Sequence, residues 1–300
     1  MLKCAQILKV RVALFLLSIL RLLRPAQWVK NTLVVIAAIS SHRIAEPGVD
    51  WALLRLFVAM SLLASAIYVL NDALDRQHDQ LHPQKKRRPF ASGELSPAHA
   101  FWLVPLLLLG VAMAAWSMPI AVIAVLAGYV ATNLLYSLWL KRLLWMDVLV
   151  LAGLYSVRVL AGAFAIDVAP SEWLLAFSMF AFVSLAALKR VIELQHVEVS
   201  APGRGYRRED IDMLKSFGVA SSVAAVLVMA LYVNSDAVRA LYDQPAWLWG
   251  ICALFWYWLA RIWTLAARGQ VHHDPVLFAV RDATSWVVAL LVTACVALAT

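Results

Sequence analysis

Mostly apolar stretches recur along this chain at lengths near twenty, and about twenty helical residues is what a bilayer core requires. Nine are read, at 28–45, 51–74, 98–115, 119–139, 146–166, 172–190, 216–235, 246–267 and 276–298. In hydrocarbon the backbone must satisfy its own hydrogen bonds, and runs of this length do so as helices. Composition agrees. Hydrophobic residues make up 63% and charged residues 15% of the chain, against roughly 45–50% and about 25% in soluble domains. Several of the 13 tryptophans fall beside span ends, as interfacial belts do. The expected fold is all-α: a polytopic membrane protein of nine transmembrane helices, with residues 28–300 as one domain. Residues 1–27 are read as an interfacial amphipathic segment. The apolar run Val12–Leu20 is short for a span, ends in Arg21 and Arg24, and precedes no small-residue cleavage site.

The net charge of +8 does not imply nucleic acid, because the basic residues lie between the apolar runs. One side takes Lys3, Lys9, Arg11, Arg21, Arg24 and Lys30, then Arg76 and Lys85, Lys86, Arg87 and Arg88. It also takes Lys141, Arg142, Lys189, Arg190, Arg204, Arg207, Arg208, Lys215, Arg268 and Arg281, leaving only Arg43, Arg55 and Arg239 opposite. The positive-inside rule makes the first side cytoplasmic and the C-terminus external. Acids gather on the same side, which places the chemistry at the cytoplasmic face, with anionic headgroups and phosphorylated substrates as partners. Cys4, Cys252 and Cys295 form no CxxC pair and no zinc spacing, so they read as reduced and structural. His272, His273, Asp274 and Asp282 form a last polar cluster, but adjacent histidines cannot both face one site from a regular helix.

The stretch from Asn71 to Gly93, NDALDRQHDQLHPQKKRRPFASG, carries the most chemistry. Asp72, Asp75 and Asp79 stand at i, i+3 and i+7, within about 60° on one face of a continuous helix. Three stacked carboxylates repel one another unless a hard cation sits among them, and Mg²⁺ is the usual one where phosphates are also held. His82, Pro83, Lys85, Lys86, Arg87 and Arg88 follow, a cluster suited to phosphate oxygens. The plain alternative is that the acids are solvated and the basic run only enforces topology.

Asn71, Asp72, Asp75 and Asp79 resemble the NDxxDxxxD motif of the UbiA superfamily of intramembrane prenyltransferases. The extension HPxKxxRPxASG, through His82, Pro83, Lys85, Arg88, Pro89, Ala91, Ser92 and Gly93, is similar to one branch in particular. So is the RPAQWVKN stretch with Gln27, Trp28, Lys30 and Asn31. That branch is the decaprenyl-phosphate phosphoribosyltransferases. The resemblance implies transfer of 5-phosphoribose from phosphoribosyl pyrophosphate to a polyprenyl phosphate. Asp72, Asp75 and Asp79 would be the Mg²⁺ ligands and catalytic residues, with Gln27, Lys30, Asn71, Lys85 and Arg88 on substrate. Tyr136, Ser137 and Lys141 resemble the superfamily's YSxxxK segment, with Tyr136 on substrate and Lys141 catalytic; a snorkelling lysine beside an interfacial tyrosine is the alternative.

Arg158 lies mid-span, where a charge costs at least about 2.5–3.5 kcal/mol. It must meet either a substrate phosphate or a structural partner such as Asp147. The segment 189–215 holds no DxxxD, the second acidic motif of the superfamily's aromatic prenyltransferases. Lys189 and Glu193 share a helical face as a local ion pair would, and Lys189 is a further substrate-binding candidate; a plain solvated loop stays open. The alternative function is prenyl transfer from a polyprenyl diphosphate to an aromatic acceptor such as 4-hydroxybenzoate. A transporter is disfavoured, because the polar groups collect at one face and no internal repeat is apparent.

Overall fold

The computed structural model describes residues 2–81, 85–195, 204–271 and 274–300, with side chains from residue 11 onward except Ala237. The described residues form fourteen α-helices, joined in places by 3₁₀ turns, and no β-strand. These are α1 (Leu2–Leu23), α2 (Ile36–Ser40), α3 (Val49–Leu74), α4 (Arg76–Leu81), α5 (Pro89–Ser92), α6 (His99–Ala115) and α7 (Ile120–Leu138). They continue as α8 (Met146–Ala165), α9 (Glu172–Gln195), α10 (Ile211–Val233), α11 (Asp236–Leu241), α12 (Trp249–Ala267), α13 (Pro275–Arg281) and α14 (Ala283–Ala299).

Six helices are long and apolar enough to cross a membrane, or up to eight if each of two bent pairs is one span; α6 is a shorter apolar helix. Large apolar side chains such as Leu106, Leu109, Phe217, Leu227 and Leu290 are exposed, as lipid-facing positions should be.

Two sequence expectations change. The first span is not one regular helix over 28–45: an eleven-residue 3₁₀ stretch, Pro25–Val35, leads into α2, and the pair Arg11–Leu23 plus Pro25–Ser40 bends by 42°. The cause is lateral bonding. Trp28 Nε1 donates to Ser65 Oγ at 3.0 Å, and the Asn31 amide to Ser61 Oγ at 3.0 Å, so side chains tie this stretch to α3. The last span is broken by 82° between α13 and α14. There Asp282 caps α14 by accepting from the Ser285 N–H at 2.8 Å, and the Arg261 guanidinium grips it at 2.7 and 3.0 Å. A capped helix start makes a chain break favourable even inside an apolar run.

The chain divides into two compact units, Met1–Ser137 with Ala161–Val168, and Leu138–Leu160 with Ala169–Thr300. In the first, α3 packs against α1, α6 and the 3₁₀ stretch, and Leu22, Val69, Phe90, Leu95 and Leu103 form a buried cluster. Short α5 is set by its ends: Pro89 opens it and Gly93, at φ 81°, closes it in the left-handed conformation that glycine takes without a Cβ penalty. In the second unit, α9 and α10 lie side by side. The Ser184 and Ser222 hydroxyls meet at 2.7 Å, and Trp263 Nε1 donates to Ser184 at 3.0 Å. Such bonds hold helices together where lipid gives no hydrophobic drive.

Gly162 marks the closest approach in the first unit, since a Cβ there would lie 2.0 Å from the Val34 carbonyl oxygen. Gly162→Ala should therefore cost about 1–3 kcal/mol by overpacking, read as a lower unfolding midpoint in detergent. An unchanged midpoint would show that this contact can open without cost.

Candidate active site

The first unit gathers its charge around Asp72. This residue sits in the last turn of α3 and is 3% exposed. The helix does not continue through the motif: Asp75, at φ −85° and ψ 5°, caps α3, and α4 starts at Arg76. The regular helix is interrupted at Asp75, although the Asp75 and Asp79 N–H groups still bond the Asn71 and Asp75 carbonyls, at 2.8 and 2.9 Å. Asp79 is also 3% exposed, and it meets Asp72 through a common cation. Arg88 Nη1 lies 3.0 Å from Asp72 Oδ1 and 2.6 Å from Asp79 Oδ2. Asp75 is half-buried on the turn, and its side chain makes no ion pair among the described residues.

Arg24 supplies the second cation, which sequence reasoning assigned only to topology. Its Nη2 donates to both oxygens of Asp72, at 2.6 and 2.8 Å, and its guanidinium lies 4.7 Å from the Tyr68 ring centroid. Arg24 ends α1 in the left-handed conformation, φ 51° and ψ 58°, which is costly for a residue with a Cβ. Pro25 follows and cannot continue the helix from within. The sequence signal for this arrangement is the Arg–Pro pair itself, where a helix must stop beside a cation.

Arg88 is aimed by the same logic, its extended backbone preceding Pro89 as a residue before proline prefers. Asn71 donates to Ser137 Oγ at 3.1 Å, which ties α3 to α7. Lys30 is 6% exposed on the 3₁₀ stretch. Gln27 is half-buried there, with its N–H bonded to the Arg24 carbonyl at 2.8 Å. Lys85 is exposed at the start of a turn, and Tyr136 is half-buried near the end of α7. His82 and Pro83 lie outside the described residues, as do His272 and His273.

For a metal the fit is that of two carboxylates and not of three: no group of three His, Cys, Asp or Glu side chains is assembled among the described residues. Asp72 and Asp79 nevertheless converge on one positive nitrogen, and their oxygens are the hard donors that Mg²⁺ takes. The donor set suits a divalent cation that keeps its remaining positions for water or phosphate.

The second unit holds a separate charge cluster. Asp147, at 0% exposure, pairs with Arg190 and with Arg204, the latter at 2.9 Å. Glu193 pairs with the same two arginines. Lys189 reaches Asp274 at 3.2 Å, so the expected Lys189–Glu193 pair gives way to longer-range partners. Arg158 bonds the Leu154 carbonyl and lies 5.7 Å from the Tyr155 ring centroid, while Arg190 and Arg204 pair with Asp147. Residues 204–206 are not a solvated loop. Tyr206 is 1% exposed, its hydroxyl accepts from the Trp145 N–H at 2.9 Å, and burial pushes its phenol up to about 12. Lys141 is half-buried on the 3₁₀ turn Leu140–Arg142.

An α-helical membrane fold with a diaspartate–diarginine site defines a class of polytopic membrane proteins with an acidic site at a helix end. Residues 31–281 match the UbiA prenyltransferase family, and the chain belongs to it. Nodulation protein NoeC of Azorhizobium caulinodans is 35% identical over 271 residues, covering 88% of this chain and 87% of that protein. Decaprenyl-phosphate phosphoribosyltransferase of Mycolicibacterium smegmatis is 32% identical over 188 residues, 60% of this chain and 58% of that one. The fold resembles a UbiA homolog from Archaeoglobus fulgidus solved bound to GPP and Mg²⁺, with TM-score 0.70 at 16% identity over 93% of this chain and 99% of that one.

Arg190→Leu takes an arginine from the buried Asp147 and should destabilise the protein by about 3–5 kcal/mol. The double variant Asp147→Leu with Arg190→Leu should cost clearly less than the sum of the singles, because Arg204 and Glu193 still pair. Loss of helicity on titration with denaturing detergent measures both; strict additivity would mean that the pair is not coupled.

Proposed function

We propose that this UbiA-family protein is a Mg²⁺-dependent transferase that moves 5-phosphoribose from phosphoribosyl pyrophosphate to a decaprenyl-type polyprenyl phosphate, with release of pyrophosphate. Its place would be the bacterial inner membrane, with the active-site loops and N-terminus cytoplasmic. The observation that carries this reading is Arg88. It belongs to the HPxKxxRPxASG extension that marks the phosphoribosyl branch, and it reaches both Asp72 and Asp79. Arg88 thus ties the extension to the carboxylates, while Lys85, Lys86 and Arg87 are exposed beside it. The mycobacterial phosphoribosyltransferase relative supports the same branch. So does the segment 189–215, which offers arginines bound to acids and no second acidic motif.

Asp72 and Asp79 would hold the metal, whose chemistry is to neutralise a pyrophosphate leaving group, while Asp75 lies half-buried on the turn between them. Arg88 and Lys85 add positive charge for the same phosphates. As the anomeric carbon–oxygen bond breaks, the ribose gains oxocarbenium character, and a phosphate oxygen of the lipid attacks. That oxygen is already anionic at neutral pH, so the chain need not supply a strong base. From the sequence alone, Lys30, Lys141 and Arg158 are each proposed as candidates for the acceptor phosphate or the ribose 5-phosphate. Gln27, Asn71, Tyr136 and Lys189 are the remaining proposed substrate contacts. What the side chains contribute is preorganised charge.

The test offers purified protein in nanodiscs two donors in parallel. One reaction holds phosphoribosyl pyrophosphate with polyprenyl phosphate, the other a prenyl diphosphate with 4-hydroxybenzoate. The expected product is a lipid heavier by one phosphoribosyl unit, formed only in the first and reduced about a hundredfold or more in Asp72→Asn. Product only in the second would replace this reading with aromatic prenyl transfer.

A further inference from the structure

Asp72 and Asp79 are nearly closed off from solvent, and each carries its negative charge against a guanidinium: Arg24 and Arg88 on Asp72, Arg88 on Asp79. A carboxylate buried to this degree without a counter-charge is strongly disfavoured. The arginines therefore cannot leave unless another cation arrives. A divalent cation cannot simply be added either, because it would then share its ligands with two guanidiniums and bring the site to a surplus of positive charge. The charges balance again if an anion comes with the metal. Two carboxylates match one divalent cation, and two released guanidiniums match the oxygens of a diphosphate, which arginine binds in bidentate fashion. Both arginines are 26% exposed at the side chain, so each retains an open side from which an anion can reach it.

From this balance we propose that Arg24 and Arg88 are exchangeable counter-cations. They hold the two aspartates in the resting protein, and they move to the phosphates when a divalent cation and a diphosphate enter together. The inference rests on the reading of Asp72 and Asp79 as metal ligands, but it does not depend on whether the donor is phosphoribosyl pyrophosphate or a prenyl diphosphate. Arg24 gains a role that topology alone does not give it. Its strained left-handed backbone and the Tyr68 ring beneath it set the guanidinium over Asp72 in the absence of substrate.

Linkage makes the exchange measurable without turnover. If metal and anion each remove the obstacle to the other, each tightens the other by the same factor, and couplings of this kind run to about 5–150-fold. Equilibrium dialysis of the protein in an uncharged detergent against radiolabelled Mn²⁺, with and without inorganic pyrophosphate and with Asp72→Asn as blank, reads it. Wild type should bind Mn²⁺ weakly alone and at least about fivefold more tightly with pyrophosphate. Arg24→Gln removes one competitor, so Mn²⁺ alone should bind more tightly than to wild type and the gain from pyrophosphate should shrink. Arg24→Lys, which keeps the charge, should restore most of that gain.

Equal Mn²⁺ affinity with and without pyrophosphate in wild type would overturn the exchange, and this outcome needs no variant to fold. An Arg24→Gln protein with unchanged affinity and coupling would overturn the part given to Arg24. No Mn²⁺ binding under either condition would instead overturn the metal reading itself. The donor assay fails separately, by its products.

Discussion

A carboxylate that an apolar helix carries away from water must be answered by a cation, and that requirement shapes the first unit more than any apolar contact does. Asp72 is answered from two directions, by Arg24 ahead of it in sequence and by Arg88 after it. To deliver Arg24, α1 stops at a left-handed residue followed by proline. To deliver Arg88, the chain runs extended into Pro89. To bring Asp79 to the same guanidinium, α3 breaks at Asp75 and restarts as α4. Each backbone irregularity here serves a charge contact whose loss would leave an ion buried and unmatched.

The second unit solves the same problem separately. Asp147 also has two arginines, Arg190 and Arg204, and Glu193 balances their surplus. One of these, Arg204, comes from beyond α9, so the pairing anchors the segment that also inserts Tyr206. Gly205 allows that segment to approach: a Cβ there would lie 2.6 Å from the Arg142 carbonyl oxygen. Charge pairing and a missing side chain together convert what reads as a polar loop into packed structure.

The apolar helices were legible in the sequence because hydrophobic length is a local property. The span read at 119–139 is α7 at Ile120–Leu138, and the one read at 146–166 is α8 at Met146–Ala165. Reading failed where polar side chains act sideways. Trp28 and Asn31 draw their stretch against α3, and Asp282 breaks the final run, though neither effect changes hydropathy. At the site, residue types were legible and pairings were not. Asp72 and Asp79 stood out as acids after an Asn, but a period of 3.6 residues assumes a helix that in fact turns at Asp75. Arg24 was counted only by the side of the membrane it favours, and Arg88 was read for phosphate and not for the aspartates. Arg24 lies 48 residues from Asp72, and Arg204 lies 57 from Asp147, separations at which a single sequence carries no pairing signal. The Lys189–Glu193 pair was chosen for its i, i+4 spacing, yet Asp274 was the better-placed acid.

The two charge clusters differ in one quantity that bears on function. Arg190 is 1% exposed at the side chain, whereas Arg24 and Arg88 are each 26% exposed. Removing Arg190 from Asp147 would leave a fully buried carboxylate short of a counter-charge. That arrangement suits a permanent fixture, one that trades desolvation for a single fixed geometry. The arginines on Asp72 keep contact with solvent, so their desolvation is smaller and an incoming anion can compensate them without first opening the core. Of the two arginines on Asp147 only Arg204, 22% exposed at the side chain, has an open side, whereas on Asp72 both do. The first cluster can therefore offer both cations to an incoming anion, and the second keeps Arg190 sealed against its acid.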